Sequence, residues 1–268
     1  MEEEISWKLD DYPDILSIDG IVSNEEKQQS IMLTRTSNYF NTGDPATVSG
    51  ATVTVTEGNH IYTYTESSIN MGLYVSDDAF AGEPSKSYEL RVQLEEPING
   101  VSDFATTTVM PQGIVLDTII CEVYDMPQLD IPGDDEDQDS TILGIYYYGF
   151  EPEQENYYLA RIYRDEIPLQ SNAKELLAFD DEFSNGNYTG FLLYGDNVMP
   201  EDLVRFRIIS VEKAYYDFIN DIKMMDESGS SYNMSGPPAN AIGNIPNAIG
   251  FFTAVFVSEK TGIAVDMR

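Results

Sequence analysis

From residue 15 to residue 94, apolar and polar side chains alternate in short runs, and turn-forming residues close each run. Ile15 to Val22 alternates and meets Asn24, Ser30 to Arg35 is a second run, and Ala51 to Thr56 alternates strictly up to Gly58-Asn59. His60 to Thr65 then completes an apparent hairpin, followed by Gly72 to Val75 and Ser87 to Leu94. Side chains on a strand point to opposite faces in turn, so each run predicts a strand with one buried face. Short strands at this density, with no helical periodicity, predict a β-sandwich over residues 1–112, immunoglobulin- or transthyretin-like.

Met110-Pro111-Gln112-Gly113 combines two backbone breakers and marks a candidate boundary. Beyond it the runs are more continuously apolar. Ile114 to Tyr124 reads as a strand, Thr141 to Phe150 and Tyr157 to Tyr163 as a strand pair, and Asn187 to Tyr194 and Leu203 to Ser210 as two more. Val211, Tyr215, Phe218, Ile222 and Met225 then fall at spacings of four and three, one stripe of a helix over about 211–228 that stops near Gly229. A Gly/Pro/Asn loop over 229–249 leads to a last core strand, Gly250 to Ser258. The expectation for 113–268 is a second, fibronectin-III-like sandwich with one helix inserted before its last strand.

Charge narrows the functional classes. Asp and Glu number 47 against 14 Lys and Arg, a net charge of −33. A field of that sign repels phosphate backbones and anionic lipid, so nucleic acid is not an expected partner. Cations and basic protein surfaces remain compatible, as does a plain role in solubility. Cys121 is the single cysteine and lies in an apolar run, so no internal disulfide can form and a buried, inert thiol is expected. No apolar run approaches the ~18 residues of a membrane-spanning helix. Met1 leads directly into Glu2-Glu3-Glu4, so an exported form would be read here as a trimmed mature chain.

No motif specifies catalysis. Asp135, Asp137 and Asp139 alternate in an acidic loop, but an EF-hand's Gly and Glu positions hold Ser140 and Tyr146, which leaves them weak calcium candidates beside the reading of a solvated loop. His60 is the only histidine, and neither a GxSxG elbow nor an HExxH pair accompanies it. With this many carboxylates, a pair at glycosidase spacing carries no information. No catalytic residue, cofactor or metal centre is therefore expected. The tyrosine clusters 146–148, 157–158 and 215–216 can offer rings such as Tyr147 and Tyr157 to a sugar or protein, or can cover a sheet face and dock the helix. The segment 235–252 is long, nearly uncharged and repeats Asn-Ala-Ile-Gly at 240 and 247. Asn240, Asn244 and Asn247 are its binding candidates, and a structural crossover held by Ile242, Ile245 and Ile249 is the alternative.

Several ordered pieces carry a family resemblance. Ile18-Asp19-Gly20-Ile21-Val22-Ser23-Asn24, Ile31 to Phe40, Val48 to Val55 and Gly72-Leu73-Tyr74 come first. Phe150-Glu151-Pro152 with Asn156-Tyr157-Tyr158, Asp180 to Gly186, and Asn244 to Phe252 follow. In this order the chain resembles the Bacteroidetes envelope lipoproteins of domain of unknown function 4249; Pro246 departs from the residue usual there. The resemblance implies an acidic, exported lipoprotein of the outer membrane or cell surface, anchored through a lipidated cysteine ahead of Glu2-Glu3-Glu4. It implies an accessory or binding role beside a TonB-dependent receptor in nutrient uptake or envelope transport, with no catalytic residues to carry over. A fimbrial or adhesin subunit, or a module binding a glycan or peptide, is the alternative expectation.

Overall fold

The computed structural model describes residues 14–36, 45–125, 141–170, 175–181, 189–195, 198–228, 241 and 243–267. The first half forms β1 (Leu16–Ser23), β2 (Ser30–Arg35), β3 (Thr52–Glu57), β4 (His60–Glu66), β5 (Leu73–Ser76), β6 (Ser87–Ile98) and β7 (Val101–Val109). They pair antiparallel in the order β1-β2-β5-β4-β3-β6-β7. The alternation works as expected: Val53, Val55, Leu90, Val92, Tyr74 and Tyr88 point into one core, while Thr52, Thr54, Thr63 and Thr65 face outward. The strand missing from the sequence reading is β7. Its Ser-Asp-Phe-Ala-Thr-Thr-Thr run looks polar, yet Phe104 and Thr108 are buried, and Asn99-Gly100, both at positive φ, make the two-residue turn that pairs β7 with β6.

The second half contributes β8 (Val115–Asp125), β9 (Thr141–Phe150), β10 (Tyr157–Arg164), β11 (Ile167–Pro168), β12 (Leu177–Asp180), β13 (Thr189–Gly195), β14 (Leu203–Val211), α1 (Lys213–Ser228) and β15 (Ala248–Asp266). β8, β9 and β13 form one layer, and β12, β10, β14 and β15 form another. The expected pairing of 141–150 with 157–163 is corrected: β9 pairs with β8 and β13, β10 with β14, and the turn between them carries the chain from one layer to the other. Between the layers lie Cys121, Val123, Leu143, Ile145, Tyr158, Ile162, Phe206 and Ile208. On the far side of β10, β14 and β15, the helix buries Tyr215 and Ile219 against Leu159, Phe251 and Val255. The predicted stripe is therefore shifted, since Val211 belongs to β14 and Met225 is exposed.

The last strand does more than the expected eight or nine residues allow. β15 runs for 19 residues and serves both halves. Its first part lies parallel to β1 (Leu16 opposite Ala248 through Ser23 opposite Val255), and its second lies antiparallel to β14 (Ser210 opposite Phe256 through Leu203 opposite Ile263). Its end runs parallel to β8, with Ala264 opposite Cys121. Phe252 and Ala254 complete the N-terminal core, whereas Phe251, Val255 and Val257 face the helix. The whole is mostly β, an open mixed sheet in which β15 is the shared member.

Candidate functional site

The segment with the strongest sequence signal, 241–252, is built around β15's change of partners. A strand directs the N–H and C=O of alternate residues to one edge. Over 248–255 one edge is covered by β1, and β14 covers the other only from Phe256 onward. Phe252 fills part of the gap through a side chain. Its N–H donates to Asn244 Oδ1 (3.0 Å), and Asn244 Nδ2 donates to its carbonyl (2.7 Å). The Ala254 N–H donates to Thr108 Oγ1 (3.2 Å), whose hydroxyl donates to Glu212 (2.6 Å). Five residues further along, where β1 has ended, Asn24 repeats the device: the Val257 N–H donates to Asn24 Oδ1 (2.6 Å), and Asn24 Nδ2 donates to the Val257 carbonyl (3.1 Å). A primary amide offers one donor and one acceptor side by side, so it can stand in for a neighbouring strand.

The Asn-Ala-Ile-Gly repeats meet at their glycines. A Cβ on Gly243 would lie 1.8 Å from the Gly250 carbonyl oxygen, and one on Gly250, at φ +88°, 2.2 Å from that of Ile18. Only glycine permits this approach of three backbones. Between them Ile245 is buried in the N-terminal core, and the Ala248 N–H donates to the Ile245 carbonyl (3.2 Å) across Pro246-Asn247. Proline followed by Asn247 at φ +63° is the pattern of a type II turn, which explains the proline at this place. Beside the turn is an open hollow of about 480 Å³, lined by Ala241, Gly243, Asn244, Ile245, Pro246, Ala248 and Ile249. None of these carries a titratable side chain, so among the described residues the hollow has shape and amide chemistry but no acid or base.

The sequence candidates divide accordingly. Asn244 and Asn247 share this site: the first is committed to Phe252, and the second is exposed at the turn. Asn240, and the acidic-loop residues Asp135, Asp137 and Asp139, lie outside the described residues. Neither Tyr147 nor Tyr157 joins the hollow. Tyr147 packs against Phe206 with ring centroids 5.4 Å apart, and burial together with the nearby Glu151 charge pushes its phenol up to about 12. Tyr157 is buried beside Tyr216 of α1 and donates to Glu155, whose hydrogen bond pushes it up to about 12. Of the two uses open to the clusters, these rings serve packing and helix docking.

A second convergence joins Phe150-Glu151-Pro152, Asn156-Tyr157-Tyr158 and Asp180-Asp181. Glu151, Asn156, Tyr158 and Asp181 are all buried. The Tyr158 hydroxyl donates to Glu151 (2.8 Å), and Asn156 Nδ2 donates to the Pro152 carbonyl (2.9 Å) and to Asp181 (3.1 Å). Burial and the Glu151 hydrogen bond hold the Tyr158 phenol well above its usual range. Neither carboxylate lines the hollow at 241–249. The bonds seen tie the turn after β9 to the end of β12, as a polar network inside the fold requires. Among the described residues no group of three or more His, Cys, Asp or Glu is placed to hold a metal ion. Cys121 is buried, and burial pushes its thiol up to about 12.

Sequence reasoning missed the residues that join the two halves. Arg207 on β14 reaches Glu25 (2.6 Å) and Glu259 (3.1 Å). Glu212 accepts from Thr108 Oγ1 and from the Val109 N–H (3.2 Å). Asn24 had read only as the turn that closes a strand. Its available signal was its place directly after β1, where the neighbouring strand loses its partner.

No curated protein matches this chain. Among solved structures, the Fcho1 Mu homology domain of Danio rerio with bound Eps15 peptide aligns over 96% of this chain and 97% of that one. At 7% identity and a TM-score of 0.19, that alignment carries no argument. Sequence places the chain more firmly: a family model described as Domain of unknown function (DUF4249) matches residues 2–261, and the chain belongs to that family.

Proposed function

We propose that this chain is a non-enzymatic, lipid-anchored protein of the outer membrane or cell surface that serves as accessory partner to a TonB-dependent receptor in uptake or envelope transport. The observation that carries the binding part is the exposed Pro246-Asn247 turn, which follows the Asn244 clasp and lies beside an open hollow with no titratable group among its described lining residues. An exposed turn closed by its own hydrogen bond limits the ordering cost of association, which suits recognition of a peptide or a receptor loop. The envelope location and the receptor come from the motifs shared with the lipoprotein family. We further read the two halves as tandem sandwich units, immunoglobulin- or transthyretin-like and then fibronectin-III-like. Their separate apolar clusters, meeting near residues 110–114, support that reading.

The test is a pull-down of the tagged, full-length protein from its native cells in mild detergent. Near-equal recovery of a TonB-dependent receptor, lost on replacing Pro246 and Asn247 with Gly-Gly, is the expected result. A ladder of the protein's own multimers would instead favour a fimbrial subunit, and a lone monomer would sink the receptor role.

A further inference from the structure

The layer formed by β8, β9 and the end of β15 fills a core with one face and carries a row of apolar side chains on the other, with Glu122 opposite Val265 at the edge of that row. Inward point Ile119, Cys121, Val123, Leu143, Ile145 and Ala264, all buried. Outward, the pairing of Leu203 with Ile263 and of Ile120 with Tyr146 gives two apolar pairs. Ala264 opposite Cys121 puts Ile263 alongside Ile120, which joins the pairs into one row across four strands. Leu203 is 40% exposed, Ile263 61% and Ile120 44%, and Val265, next along the strand on the same side, is 52% exposed.

An antiparallel sheet that meets water on one side ordinarily turns polar residues to it. The N-terminal sheet does so with its threonines. A continuous apolar band of the opposite kind marks a contact surface. Charge says what covers it. The charged residues on β8, β9 and the stretches 199–203 and 261–267 are Asp117, Glu122, Asp125, Glu201, Asp202 and Asp266, and the next cation on that face of β14, Arg205, is held by Glu166 and Glu259. A second copy would bring the same acidic rim against itself, on a chain already at −33. An apolar centre with a cationic rim is the complementary surface.

We propose that the outer face of Leu203, Ile263, Val265, Ile120 and Tyr146 docks a protein partner whose contact surface is apolar at its centre and rimmed by Lys and Arg. The inference rests on reading the chain as a binding protein, and it names a surface separate from the hollow at 241–249.

Two measurements test it on the full-length protein. Nile red, a neutral dye, should brighten on the native chain, and I120E/I263E should abolish the signal. A milder variant, I263T/V265T, keeps β-branched residues and guards against a folding defect. A native chain that leaves the dye dark means its own residues cover the face, which overturns the proposal. A photo-crosslinking residue at position 263, in native cells, should then trap one protein that the same residue at Thr54 does not. That protein, purified, should bind about tenfold more weakly to I263T/V265T than to wild type, and more weakly at 300 than at 50 mM salt in round numbers. Adducts made only of second copies, no adduct, or binding unchanged by I263T/V265T would each overturn the face. Should the pull-down still recover a receptor with I263T/V265T, the accessory role stands while this surface falls.

Discussion

The two ends of β15 solve one problem with different neighbours. At Phe252 the strand lies in the N-terminal core with β1 on one edge, and Asn244 from its own preceding loop supplies the other. At Val257 the strand has joined β14, β1 has ended, and Asn24 from a segment 233 residues away supplies the missing edge. The first clasp is local and braced by three glycine-close backbones. The second is long-range and sits beside the Glu25–Arg207–Glu259 network. The contrast teaches that a strand can pass between two packing units if side-chain amides cover the step where neither unit offers backbone. An uncovered buried N–H or C=O would cost about 1–3 kcal/mol.

Substitutions can break that comparison in order of size. Gly250→Ala forces a Cβ into the Ile18 carbonyl at a left-handed φ and should cost on the order of 4 kcal/mol. Gly58→Ala, also left-handed but with nothing within 4 Å, should cost about 1 kcal/mol. Urea midpoints read the difference, and equal losses would mean that φ alone, not the backbone crossing, sets the cost. Next, Asn244→Ala should lose about 2 kcal/mol and Asn24→Ala about 1 kcal/mol, because Phe252 is fully buried and Val257 slightly less so. The double variant should show additive loss, since the clasps share no partner. A deficit well beyond the sum would show that the ends are coupled.

The Glu25 end should respond to acid. Burial pushes its carboxyl up, but the hydrogen bonds and charges of Arg207 and Lys27 outweigh this and hold it at about 2, below its ordinary 4.5. A depressed carboxylate contributes stability that is fully present above 4.5 and is lost as pH falls towards about 2. The stability gap between wild type and Glu25→Gln should therefore be constant from pH 7 to 5 and close below 4.5. Salt should narrow it, because Glu25 is partly exposed. A gap that persists unchanged at pH 3 would remove the ion pair from the account. Smallest in signal, Cys121 should resist a thiol-specific reagent in the native state and react on unfolding, since burial pushes it up to about 12. Faster labelling in Asn24→Ala than in Asn244→Ala would report opening at the end of β15 where Ala264 meets Cys121.

Much of this was legible because strand alternation is a local property. The runs at 15–22, 30–35, 51–56 and 60–65 lie within a residue or so of β1 to β4. β7 was not legible, because Ser102 to Thr108 buries little besides Phe104 and Thr108, and its place is set by the Asn99-Gly100 turn and by Glu212. The misread pairing of β9 with β10 has a similar origin. Two apolar runs joined by a short turn fit a hairpin, and only the long-range pairing of β9 with β8 and β13, and of β10 with β14, shows that the chain changes layer. In the 241–252 segment, the sequence pointed to the asparagines and glycines but not to their duties. An amide that serves as a strand edge has the same letters as one that awaits a ligand.

The order of synthesis gives β15 a further meaning. The strand beside β1 is made after β1 to β14, so a chain paused at residue 230 has neither Phe252 to fill its first core nor a parallel neighbour for Leu16 to Ser23. Completion of both halves waits on the same strand, and the growing polypeptide stays short of its native state until β15 arrives. The assembly schedule is thus written into the strand order.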